Sequence, residues 1–301
     1  MTPRKLSRCL LAVLLLVGTL HAADPDPFDQ SSVPIEELPK DPKAVKIVLI
    51  AGVGSTKLKS GEHEYFAGCT VLAKMLKQTP GVFPVIARDG WPKKPETLAG
   101  AKAVVLFLEG GTAHAALKED RMQQLQKLAD SGVGIVCLHS AIDYPNDFGE
   151  RVRSMSGAMW EKGYSKRAHW VTEFKSFPDH AVTRGVTPFK IDDGWLYQLR
   201  FVADMKGVTP LLGTVSPKEK GKTSDPKAII SWVYERSGGG RSFNFTGCHL
   251  HESWALDGYR KLIVNGILWS ANQEIPKDGA PVVLAPDDLK KYLERKPVPK
   301  K

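Results

Sequence analysis

Cysteine is scarce in this chain: four residues in 301, with Cys9 inside the N-terminal apolar stretch. The other three, Cys69, Cys137 and Cys248, form an odd, scattered set. That excludes a disulfide framework and leaves buried thiols acting as small hydrophobes. Long apolar runs are also missing, apart from residues 9–20. This run follows Arg4, Lys5 and Arg8, precedes Ala22 and Ala23, and is too short to span a bilayer comfortably. It reads as an export leader over residues 1–23, so the mature chain is expected to be periplasmic or secreted, with no stable membrane insertion. Nor is there a clustered basic face. The net charge is +9, and loss of Arg4, Lys5 and Arg8 leaves +6, half of it in residues 285–301. Nucleic acid is therefore not an expected partner.

Catalytic signatures are absent too. No G-x-S-x-G elbow and no P-loop occur. Gly52-Val53-Gly54-Ser55-Thr56-Lys57 puts Lys where a dinucleotide fingerprint needs its third glycine, and Gly132-Val133-Gly134 precedes a strand rather than a helix. No nucleotide cofactor is expected. Internal repeats are also lacking.

What the chain does have is an alternation of short β-branched runs and amphipathic stretches. Strands are expected at residues 46–51, 83–87, 101–108 and 135–138, with helices at 62–78 and 118–130. Helices feeding buried strands mean a doubly wound, mostly parallel α/β sheet. After residue 141 the pattern lapses into a glycine-rich stretch up to 168, read as a lid or substrate wall holding Met159, Trp160 and Tyr164. Further strands are expected at 169–174 and 211–215, with a turn at Asp192-Asp193-Gly194 leading into another. A hairpin follows, its arms 229–235 and 242–246 joined by Ser237-Gly238-Gly239-Gly240, and a helix covers 254–269. Residues 24–44 read as an extended lead-in, 45–277 as one domain, and 278–301 as a solvated, frayed tail.

In open sheets of this kind ligands sit beyond the carboxyl ends of the strands. Four segments aim histidine or carboxylate at that edge: Glu62-His63-Glu64, Glu109 with His114, His139, and His249 with His251. Imidazole titrates near neutrality and ligates zinc when neutral, so the set suits acid/base work or a metal. In an extended segment His249 and His251 share a face and would chelate. Hence His63, His139, Glu64 and Glu109 are catalytic candidates. His63, His249 and His251 are metal candidates, with zinc the favoured divalent ion. Trp195, Tyr197, Trp254 and Asp192 are candidates for binding the substrate. His169 and His180 read as structural.

The chain resembles the ThuA-like family, named for trehalose utilisation. The resemblance runs from residue 46 to 277. Its carriers are Gly61-Glu62-His63-Glu64, Ala67-Gly68-Cys69, Cys137-Leu138-His139-Ser140-Ala141, His169-Trp170, Thr183 to Phe189, Asp192 to Phe201, Phe245 to His251 and Asn265 to Trp269. It implies a flavodoxin-like sheet of the class I glutamine amidotransferase type. There a strand ends in G-x-C-x-G with the nucleophile on a strained elbow, and aligned here His139 occupies the nucleophile position. Two departures stand out. Related sequences often carry His where Tyr65 stands, which weakens a metal site, and an acidic residue where Gly194 stands.

The resemblance implies carbohydrate utilisation. The expected function is an exported enzyme acting on keto-glycosides or disaccharides through histidine or metal-assisted chemistry. The alternatives are a non-catalytic carbohydrate binder and a relative with Cys137 as nucleophile. The partner is a small-molecule carbohydrate, and a homo-oligomer is allowed.

Overall fold

The computed structural model describes residues 26–54, 58–218 and 227–296; the expected leader lies outside them. In chain order the strands are β1 (Val45–Ala51), β2 (Val82–Ala87), β3 (Ala103–Phe107), β4 (Gly134–Leu138), β5 (Ala158–Met159), β6 (Lys166–Phe174), β7 (Phe189–Tyr197), β8 (Arg200–Phe201), β9 (Val208–Thr214), β10 (Ala228–Glu235) and β11 (Arg241–Phe245). The α-helices are α1 (Tyr65–Leu76), α2 (Pro95–Leu98), α3 (Arg121–Asp130), α4 (Gly149–Ser156) and α5 (Asp257–Ser270).

Seven strands form the central sheet in the order β2-β1-β3-β4-β11-β10-β9. The first five run parallel; β10 pairs antiparallel with β11, and β9 antiparallel with β10. The expected doubly wound, flavodoxin-like α/β sheet is what the chain forms. Alternation of side chains along each strand feeds two cores. Ile47, Leu49, Val105, Phe107, Val136 and Leu138 pack with residues of α1 and α5. Val48, Ile50, Val104, Leu106, Ile135 and Cys137 pack with α3 and α4 on the other face. Each such side chain contributes roughly 1.5–3 kcal/mol on burial. Helix α5 lies so close to β11 that a Cβ on Gly266 would sit 2.3 Å from the Phe243 ring.

Strands β6 and β7 pair as a nine-residue hairpin outside the main sheet, with His169 opposite Gly194. The turn expected at Asp192-Asp193-Gly194 is instead the interior of β7. The stretch 143–168 contains α4, which the sequence hides because its only apolar side chains are Val152 and Met155, both turned inward. Gly157 ends it in the left-handed conformation, φ 81°. No described helix is long and apolar enough to cross a membrane.

The expectation of a frayed tail fails up to residue 296. Ala280 and Val282 are buried. Lys74 Nζ lies 2.6 Å from Asp288 Oδ2, and Gln78 exchanges hydrogen bonds with the Val283 backbone. The segment then crosses the start of α1.

Candidate metal centre

Three histidines from distant parts of the chain meet at the carboxyl edge of the sheet. His63 lies in the loop before α1, His139 directly follows β4, and His249 lies four residues beyond β11. Parallel pairing in register, Leu138 opposite Phe245, brings the ends of β4 and β11 together. His139 has φ 53° and His63 has φ 49°, both left-handed. The expected helix start at Glu62 fails for this reason, since His63 cannot continue a right-handed turn. At His139 the left-handed turn follows β4 directly and carries an imidazole.

The ring nitrogens converge. His63 Nε2 is 2.8 Å from His249 Nδ1 and 2.9 Å from His139 Nε2, and His249 Nδ1 is 3.3 Å from His139 Nε2. The outer nitrogens fix where the protons sit. His139 Nδ1 lies 3.0 Å from the Thr246 carbonyl, which only accepts, so Nδ1 carries the hydrogen and Nε2 a lone pair. His63 Nδ1 lies 3.1 Å from Glu109 Oε2 and 2.7 Å from the Tyr65 hydroxyl, which itself donates to Glu109 Oε2 at 3.0 Å. His63 Nδ1 therefore donates as well, and in the neutral ring its Nε2 carries a lone pair. Two lone pairs thus face each other at 2.9 Å, with a third nitrogen beside them that can supply at most one hydrogen.

That arrangement is repulsive unless a cation sits among the nitrogens, and the donor set fits a divalent metal. Tetrahedral ligands at about 2.05 Å from zinc lie roughly 3.4 Å apart; the longest separation here, 3.3 Å, matches, and the other two, 2.8 and 2.9 Å, would open by about half an ångström around an ion. The outer shell matches too: a carboxylate behind His63 and a backbone carbonyl behind His139 orient the rings as metal-ligating histidines are oriented. Burial, then the two neighbouring imidazoles, holds the His139 pKa well below its usual value. Burial with the His63 and His169 charges takes His249 down to about 3. Both rings are thus neutral, the ligating form. Burial raises the Glu109 pKa, but hydrogen bonding and charge from His63, then Tyr65 and Arg167, prevail and lower it.

Asp193 holds the His249 segment in place. It is fully buried and accepts from the backbone N–H groups of Gly194, Cys248, His249 and Leu250 at 2.8–3.2 Å. Burial pushes its pKa up to about 7 against those bonds.

Above the three nitrogens lies a cavity of about 370 Å³ lined by His63, His139 and His249 with Glu109, Arg167, His169 and Gly194 among others. Arg167 is held by Asp143 at 2.8 Å and lies 4.4 Å over the Trp160 ring. The His169 ring centroid is 4.5 Å from that of His249. Three protein ligands under an open cavity is the pattern of a catalytic rather than a structural zinc site.

A family model described as ThuA, trehalose utilisation, matches residues 53–270. The chain belongs to the ThuA family. Among solved structures, a ThuA-like protein from Bacteroides uniformis aligns with a TM-score of 0.55 at 17% identity, over 82% of this chain and 98% of that one. PurLQS from Thermotoga maritima aligns at 0.39 and 12% identity, over 76% and 98%. A cytoplasmic protein from Salmonella typhimurium aligns at 0.46 and 11%, over 76% and 98%. The likeness to the Bacteroides uniformis protein is one of fold. No curated protein matches.

In this ThuA-family chain the expected residues are only partly assembled. His63, His139, His249 and Glu109 meet. His251 does not: Cys248 turns left-handed at φ 72° and a 3-10 helix begins at His251, so the extended spacing that would pair it with His249 is broken. It is buried, and its surroundings include the charges of Glu64 and Lys296. Glu64 is no free acid or base, since its carboxylate accepts from the Gly61 and Glu294 backbone N–H groups and pairs with Lys296 at 3.3 Å. His114 is fully buried, stacked on Tyr144. Tyr197 and Trp254 lie in the core with no face to offer a sugar, and Trp195 borders the cavity but is only 1% exposed, its indole N–H donating to Trp170 O at 3.0 Å. Asp192 points outward. Cys137 lies inside β4, and burial raises its thiol pKa to about 12, which removes it as a nucleophile.

Sequence reasoning missed Tyr65 as a support of His63, His169 as a cavity residue, and Asp193. The signal for Asp193 was present: Ile191, Asp193, Trp195 and Tyr197 share one face at period two, and that face is the apolar one.

Proposed function

We propose that the chain is a divalent-metal enzyme acting on carbohydrate, with keto-glycosides as the substrate class. The observation that carries this reading is the convergence of His63 Nε2, His139 Nε2 and His249 Nδ1 within 3.3 Å of one another beneath an open cavity. These three residues would hold the metal. When bound, such an ion polarises a carbonyl and stabilises the charge of an enolate. Glu109 keeps His63 in its ligating tautomer through Oε2, and its side chain is 35% exposed towards the cavity it lines. His169 is exposed beside His249, placed to carry a proton to or from a sugar hydroxyl. Arg167, fixed by Asp143 and Trp160, offers guanidinium donors to hydroxyl oxygens at the cavity wall. The description of the family by trehalose utilisation supports a sugar as the ligand. Export belongs to the same reading on the strength of the leader, and N-terminal sequencing of the mature protein checks it.

Metal analysis with a turnover screen tests the proposal. The purified chain is expected to hold about one divalent ion, and His139→Ala to lose it while staying folded. Turnover of an oxidised disaccharide, followed by NMR, should stop on chelation and return with zinc. A wild-type chain that takes up no divalent ion from micromolar solutions would end the metal reading. Tight sugar binding without turnover would make the protein a binder.

A further inference from the structure

The loop that carries His63 is gripped from both sides. On one side lies the segment after β11. His63 N donates to His249 O at 2.9 Å, His251 N donates to Gly61 O at 2.7 Å, and Glu62 bridges to Leu250. On the other side lies the chain's C-terminal strap. Glu294 N donates to Glu64 Oε2 at 2.7 Å, and Glu294 Oε1 accepts from Phe66 N at 3.1 Å. The Lys296 ammonium reaches further in. It donates to the Glu62 carbonyl and lies 3.3 Å from Glu64 Oε1 and 3.6 Å from Glu294 Oε2. Its side chain is 2% exposed.

Lys296 thus binds the residue before His63 and the residue after it. His63 itself is left-handed. A non-glycine residue holds that conformation only when its surroundings over-determine it. The Glu62 side chain also faces the third ring, with Oε1 3.9 Å from His249 Nε2.

We propose that Lys296 is a positioning residue of the metal centre, and that docking of the C-terminal strap and binding of the metal are coupled. The inference rests on reading the three histidines as a metal site. With the strap in place, His63 Nε2 is presented to the other two nitrogens before any ion arrives. Without it, the Glu62–Glu64 loop is gripped from one side alone, by residues 249–251, and the buried Glu64 carboxylate loses its cation. Coupling is reciprocal, so an ion that binds better with the strap docked must hold the strap down to the same degree.

Zinc affinity by competition with a chromogenic chelator tests this on the full-length protein. Lys296→Met is expected to weaken zinc binding about 10- to 100-fold, the range for loss of an outer-shell support. Lys296→Arg should stay within about threefold of wild type on the same scale, because it restores the charge and the donors. The double variant Lys296→Met with Glu64→Gln removes both buried charges together and covers the case in which the single variant fails to fold; it too should bind zinc weakly. Trypsin cleavage of the unaltered protein at Lys290, Lys291 and Arg295 should slow when zinc is added. Equal zinc affinity in wild type and a folded Lys296 variant, or cleavage indifferent to zinc, overturns the inference. A wild type that binds no zinc refutes the metal reading instead.

Discussion

Gly194 shows how much a single missing atom decides. It faces His169 across the β6–β7 ladder, and a Cβ there would lie 2.9 Å from His249 Cγ and 3.0 Å from His169 Cε1. Read from sequence, glycine at this place is a carboxylate lost; in the structure it is the space into which two imidazoles fit. Gly194→Ala is therefore expected to displace the His249 ring, costing about 1–3 kcal/mol of stability as overpacking does and weakening zinc binding about tenfold. Calorimetric zinc titration checks it, and an unchanged affinity would show that the rings have room to spare. Tyr65 makes a gentler test. Its hydroxyl orients the Glu109 carboxylate behind His63, so Tyr65→Phe should lower zinc affinity by up to about tenfold and leave the fold intact, as circular dichroism would show.

At the scale of elements, the strands were legible because β-branched apolar runs bounded by glycine admit few other readings. From the strands followed the shared rim, and from the rim the meeting of His63, His139, His249 and Glu109. What stayed hidden has physical reasons. Three residues after Phe245, at Cys248, the chain leaves the extended geometry that period-two reasoning assumes, and this carried His251 away. Helix α4 turns too few apolar residues inward to show a period. The strap buries charged groups against one another, so its composition looks solvated. Asp193 was hidden by its neighbour Asp192, and the two differ only in which face of β7 they occupy. Its carboxylate replaces a hairpin's worth of missing contacts for the 248–250 segment. Asp193→Asn should cost about 2–3 kcal/mol, because one amide oxygen cannot accept what two carboxylate oxygens do. Urea unfolding at pH 8, where Asp193 is ionised in the folded state, measures it; a loss below about 0.5 kcal/mol would mean the segment stands without it.

Taken whole, the molecule buries several uncharged imidazoles, and acid should unfold it for that reason. Burial holds His114 at about 3 and His251 at about 4, against about 6.5 in an unfolded chain. Each takes up a proton on unfolding below that value. Its contribution is complete above pH 6.5 or so and is lost as pH falls towards the folded-state value, at about 1.4 kcal/mol per pH unit. Asp193 and Glu294, which burial raises to about 7, act in the opposite sense: their contribution is complete in acid and fades as pH rises through about 7. A variant isolates one group from this sum. His114→Asn keeps an acceptor for the Ala116 N–H and should shrink the stability difference between pH 7 and pH 5 by about 2 kcal/mol. Chemical denaturation of the metal-free protein at the two pH values reads this directly, and a difference equal to the wild type's would place a charged His114 in the folded state.

The strap also closes the chain on itself. Arg295 lies 2.6 Å from Asp26, Leu293 N donates to Pro27 O, and Gln30 reaches the Tyr292 carbonyl. The first and last described segments are neighbours, so a short linker could join them and new ends could be opened at the exposed glycine turn between β10 and β11. Such a circular permutant would carry Lys296 in mid-sequence, flanked on both sides, with no free end left to fray beside the histidines.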